Sequence, residues 1–123
     1  MEIKFWKDRD RKIIESELFS STAEELAKTI AGEGNNKLNK PSQIRKFYDE
    51  VIKFDTTIKS KPDDFDKLLP YLKMLNAKAA YAKGRELISD GFKDFISKSL
   101  RQISEKDDFD VFASLFEAFM GYY

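Results

Sequence analysis

The chain has 123 residues, the size of one domain, and its 41% hydrophobic content with 11 phenylalanines suffices for a core. Its 22 basic and 22 acidic side chains cancel, so any basic site must arise from local segregation of charge. Cysteine and histidine are both absent, which excludes disulfides, thiol chemistry, the usual zinc and haem ligands, and any Ser/His/Asp or Cys/His catalytic machine.

At the start of the chain, Ile3, Phe5, Trp6, Ile13, Ile14 and Leu18 flank a charged run over residues 7–12, and this segment (residues 1–20) is read as helical. Ser21-Thr22-Ala23-Glu24 has the form of a capping box, opening a helix over residues 23–31. Gly32 can close that helix in the left-handed conformation, and residues 32–40 form a flexible loop. Pro41 suits a first helical turn, because the amide it lacks would be unpaired there. Behind it, Ile44, Phe47, Tyr48, Val51, Ile52 and Ile58 fall at helical spacing.

Pro62 opens the next segment, with Asp63, Asp64 and Asp66 complementing the helix dipole, and Pro70 kinks or restarts it. Leu68, Leu72, Leu75, Ala79 and Ala82 carry a core stripe on to about Gly84. Asp90 can cap a helix bearing Phe92, Phe95, Ile96, Leu100 and Ile103. A second capping-box pattern at residues 104–107 precedes a last helix over residues 107–122. On it Phe109, Phe112, Leu115, Phe116, Phe119, Met120 and Tyr123 share one broad face.

No run alternates long enough to suggest a sheet, so the expected fold class is all-α: a single-domain helical bundle of about five helices. No apolar run approaches the roughly 20 residues that span a bilayer. The first residues also lack the apolar stretch of a secretory signal. A cytoplasmic location and no membrane partner are expected.

Two acidic clusters, Asp63-Asp64-Phe65-Asp66 and Asp107-Asp108-Phe109-Asp110, are dense enough to suggest magnesium-assisted phosphoryl chemistry. Both open helices, however, where carboxylates meet exposed amides, and that alone explains their placement; no metal, cofactor or catalytic residue is expected. The basic residues tell more. Lys37, Lys40, Arg45, Lys46, Lys53, Lys59 and Lys61 outnumber Asp49, Glu50 and Asp55 across the first central helix, and residues 67–85 contain five basic residues and no acid. The two central helices can thus present a positive surface that contacts phosphates without reading sequence. Plain solvated lysines, with Arg45 paired to Asp49 one turn on, are the competing reading. The aromatic face of the last helix reads as core, as a base-stacking platform, or as a surface that packs on a second copy or another subunit.

Three stretches in order carry a family resemblance: Ser42-Gln43-Ile44-Arg45-Lys46-Phe47-Tyr48; then Leu72-Lys73-Met74-Leu75-Asn76-Ala77-Lys78-Ala79-Ala80-Tyr81-Ala82-Lys83-Gly84-Arg85; and last Phe119-Met120-Gly121-Tyr122-Tyr123. From Thr22 to Tyr123 the chain resembles the small subunit of type III-A CRISPR effector complexes, the Csm complexes. The resemblance implies a helical protein without enzymatic activity that supports antiviral defence. It implies self-association in several copies among other subunits of the complex, along the duplex of crRNA and target RNA. Base pairing then supplies specificity while protein reads backbone and shape. Under it, Gln43, Arg45 and Lys46 on one helix and Lys78, Lys83 and Arg85 on the next become RNA-facing candidates, joined by Lys40. The zero net charge predicts weak RNA binding by the isolated chain, with affinity gained in an array. The alternative is a helical protein–protein adaptor acting through the aromatic last helix.

Overall fold

The computed structural model describes residues 2–123, so the expectation for residue 1 lies outside the described residues. The fold is helical with one small antiparallel hairpin, β1 (Trp6–Asp8) and β2 (Ile13–Ile14), pairing Trp6 with Ile14 and Asp8 with Ile13. This corrects the helix expected at the start of the chain. The turn needs Lys12 at φ 57, a left-handed position that no glycine advertises in the sequence.

The hairpin is stapled to the last two helices. Phe5 is fully buried, and its amide donates to Gln102 Oε1 (3.1 Å), while Gln102 Nε2 donates to the Ile3 carbonyl (2.7 Å). Trp6 Nε1 donates to Asp108 Oδ1 at 2.8 Å, and Arg9 pairs with the same oxygen at 2.7 Å. Asp108 also accepts from the Ser104 and Glu105 amides at 3.0 and 2.9 Å. Burial opposes ionisation of this carboxyl, but the two amides, with Arg9 and Trp6, hold its pKa down at about 2.

A single π-helical turn, Leu18–Thr22, leads directly into α1 (Ala23–Gly34). The expected serine cap does not form, because the Ser20 and Ser21 hydroxyls donate instead to the Glu17 carboxylate (2.6 and 2.9 Å). Nor does Gly32 end α1. The helix runs on to Gly34, and Asn35 takes the left-handed position at φ 48. The loop expected over residues 32–40 is therefore shorter, and it is anchored at its far end by Asn39. That buried side chain donates to the Ile30 carbonyl (2.9 Å) and Ser89 Oγ (2.8 Å) and accepts from the Ser89 amide (2.8 Å). The Tyr123 hydroxyl donates to its carbonyl.

The helix α2 (Pro41–Ser60) begins at Pro41 as the sequence predicts and buries Ile44, Phe47, Val51 and Ile58; Ile52 falls outside the stripe and is exposed. A 3-10 turn at Pro62–Asp64 then feeds α3 (Phe65–Lys73) and α4 (Leu75–Gly84). Pro70 sits inside α3, and the break comes at Met74, whose amide bonds back only three residues to Tyr71 (3.2 Å).

Ser89, one residue before the expected cap, closes the N-terminus of α5 (Asp90–Arg101) by accepting from the Phe92 amide at 3.2 Å. Ser89 Oγ in turn donates to Glu33 Oε1 (2.6 Å). Gly91 makes room for that carboxylate, since a Cβ there would lie 2.2 Å from Glu33 Oε1. The last helix, α6 (Lys106–Tyr122), opens on a capping box one residue later than expected, between Glu105 and Asp108. With α3 and α4 parted by one residue, the helical segments match the expected bundle of about five. One buried cluster draws on every helix and the hairpin.

Candidate nucleic-acid interface

Helices α2 and α4 meet at the surface. Lys78 Nζ on α4 lies 3.4 Å from Glu50 Oε2 on α2, so the two lysine-bearing helices are neighbours. Between them runs an open groove of about 450 Å³, lined by Gln43, Lys46, Asp49, Glu50, Lys53, Lys78 and Tyr81 over a floor of Phe47, Ala82 and Leu87. Helical spacing explains why α2 contributes these residues: Gln43, Lys46, Glu50 and Lys53 are three, four and three residues apart and form one stripe. Three lysines face two carboxylates there, a small positive excess.

The structure brings Gln43, Lys46 and Lys78 together in this groove. Lys53, which the sequence reading counted only as part of the charge excess, joins them. Arg45 does not, being two residues and roughly 200° round the helix from Gln43. It is exposed, and its charge acts instead on the Tyr48 phenol one turn along α2. Burial pushes that phenol above its usual range and Glu117 adds to the effect, while Arg45 opposes it. The Arg45–Asp49 pair of the competing reading does not form, and Lys40, Arg45, Lys46 and Lys53 form no ion pair among the described residues. Lys40 is exposed at the residue preceding α2.

Lys83 points to a different neighbourhood. It pairs with Asp90 Oδ1 at 3.1 Å and lines a second pocket with Glu33, Lys37 and Glu86. Arg85 follows α4, its guanidinium 5.7 Å from the centre of the Tyr81 ring, with one N–H donating to the Tyr81 hydroxyl at 3.0 Å. Tyr81 and the carboxylates of Glu50 and Asp90 were the features charge counting could not supply. Their roles depend on which helices become neighbours.

The other candidate surfaces resolve differently. Phe109, Phe112, Leu115, Phe116 and Phe119 on α6 are all fully buried within the chain, so the face an adaptor or a stacking platform would use is core. The acidic clusters disperse into separate contacts. Asp108 is the buried acceptor described above, Asp107 pairs with Lys12, Asp110 with Lys106 (3.0 Å), and Asp64 lies 4.0 Å from Lys67. Among the described residues no three metal-ligating side chains come together, and no helix is long and apolar enough to cross a membrane.

Residues 14–123 match the family Csm2 Type III-A. The chain belongs to that family. It is accordingly a small subunit of the type III-A Csm complex and associates with other Csm subunits. The match begins at Ile14, inside the hairpin, and so reaches further upstream than the resemblance from Thr22. No curated protein and no solved structure matches this chain.

Proposed function

We propose that this Csm2-family chain is a non-catalytic subunit that stacks in several copies along the crRNA–target RNA duplex and holds its backbone through the groove between α2 and α4, in the service of antiviral defence. The observation that carries this reading is the convergence of Gln43, Lys46, Lys53 and Lys78 from two helices on one solvent-open groove. Ammonium groups attract phosphate oxygens as point charges, and Gln43 can donate to a phosphate oxygen or a ribose hydroxyl. The groove has little charge to spare, because Glu50 already engages Lys78 at 3.4 Å. One copy therefore binds RNA weakly, and useful affinity comes from repetition along the duplex. In this reading Arg85, bonded to the groove-lining Tyr81, and Lys40, three residues before Gln43, are further phosphate contacts, whereas Arg45 and Lys83 are not among the groove's lining residues.

The test is a Csm complex assembled with Lys46→Ala and Lys78→Ala together. Target-RNA retention across a salt series is expected to fall, with the slope of log affinity against log salt reduced by about two, one per lost phosphate contact. Wild-type affinity with an unchanged slope would sink the groove as the RNA contact.

A further inference from the structure

The three cations singled out on α4 and its end, Lys78, Lys83 and Arg85, are held in different ways, and Lys73 at the end of α3 is a fourth nearby. Lys78 and Lys83 are each held by a carboxylate, Glu50 and Asp90, which fixes the ammonium but also neutralises it. Lys73 makes no ion pair among the described residues. Arg85 is held, and by an uncharged partner. One guanidinium N–H donates to the Tyr81 hydroxyl and the cation lies near the ring, while no carboxylate pairs with it among the described residues. Glu86, the next residue, takes a left-handed backbone (φ 59) and lines the pocket beside Lys37 and Lys83.

Tyr81 is an odd residue for a purely structural position. It is 66% exposed, the most exposed large hydrophobic side chain among the described residues, so the core gains little from it. Its ring nonetheless lines the α2–α4 groove beside Lys46 and Lys78. It thus connects the groove wall to a cation that would otherwise swing freely. An unrestrained arginine loses rotamer freedom when it is fixed on a ligand. A side chain already oriented loses less, and four of its five N–H donors remain open after the bond to Tyr81, enough for a paired grip on a phosphate.

We propose that Tyr81 is a positioning residue that holds Arg85 at the end of the α2–α4 groove as a preformed, un-neutralised clamp for an RNA phosphodiester. This rests on the reading of the groove as the RNA contact. It extends that contact along α4 from Lys78 to Arg85, two helical turns.

Assembled complexes carrying Tyr81→Phe, Arg85→Ala, both substitutions, or Lys46→Ala with Lys78→Ala separate the possibilities when target-RNA retention is followed across salt. Arg85→Ala is expected to weaken retention and lower the salt slope by about one. Tyr81→Phe keeps the ring and removes only the hydroxyl, and is expected to cost about fivefold, the worth of one hydrogen bond. The double variant is expected to bind no more weakly than Arg85→Ala alone, because Tyr81 acts only through Arg85. Wild-type retention by Tyr81→Phe overturns the proposal. So do losses that add in full, which is what damage to the fold or an independent contact would produce. If Arg85→Ala is silent while the lysine pair is weakened, the clamp is wrong and the groove stands. If all four variants retain RNA normally, the groove itself is wrong.

Discussion

The aromatic interior between α5 and α6 and the groove between α2 and α4 are built on opposite rules. In the interior, Phe116 packs against Tyr48, Phe92, Phe95, Phe112 and Phe119 with ring centres 5.4 to 6.2 Å apart, in edge-on and tilted arrangements that suit the ring quadrupoles. The phenylalanine rings there are buried, with Tyr48 half-buried at the edge, and their packing serves stability. In the groove, lysines, carboxylates, a glutamine and a tyrosine lie open to water and contribute little to folding. The abundant, eye-catching phenylalanines hold the chain together, and the less conspicuous polar stripe of α2 stays open to solvent.

The sharpest way to break that contrast is Phe116→Ala. A fully buried ring with five aromatic neighbours should cost about 3–5 kcal/mol in chemical denaturation, while RNA retention by whatever remains folded stays normal. A loss of RNA binding without a loss of stability would mean that the two regions are not separate.

A smaller effect is expected at Asp108, which joins the hairpin to α6. Its carboxyl ionises at about 2 when folded against 3.8 ordinarily, so its contribution is fully present above about 4 and is lost as pH falls towards 2. The gap amounts to about 2 kcal/mol. Asp108→Asn should remove about that much stability at neutral pH and flatten the acid limb of a stability–pH curve. An acid limb identical to wild type would assign the pH dependence elsewhere.

The smallest effect on stability, and the one that sharpens the contrast most, belongs to Glu50→Gln. Freeing Lys78 from its half-exposed partner should change stability by less than about 1 kcal/mol. It should raise RNA affinity several-fold at low salt by adding one unopposed charge to the groove. Unchanged affinity would show that Lys78 does not meet phosphate.

How much of this was legible in the sequence follows from the range of the forces involved. Long periodic segments were clear: α2 from Pro41 and the stripe of α6 fall where spacing puts them, because a face of five or more apolar residues fixes a helix by itself. The hairpin was missed because strands of three and two residues are too short to carry a period, and its turn places a lysine where glycine would have been the signal. The caps at Ser89 and Glu105 each lay one residue from the expected position, and the Ser21 cap was lost to a competing acceptor, Glu17. The basic residues of α2 and α4 were identifiable one at a time. Which of them converge was not, since that depends on how the two helices lie side by side. Hence Lys53 and Tyr81 joined the groove, Arg45 stayed outside it, and Glu50 and Asp90 emerged as counter-charges.

Enclosing the α6 rings also bears on how this subunit can be joined to others. The large nonpolar side chains left outside, Ile13, Ile52, Tyr71, Met74, Tyr81 and Tyr122, are spread over the hairpin and four helices. Contacts with neighbouring Csm subunits then fall mainly to charged and polar groups. Joints of that kind form quickly, select by complementarity, and loosen as ionic strength rises. A complex joined in that way can be taken apart and rebuilt while this subunit stays folded.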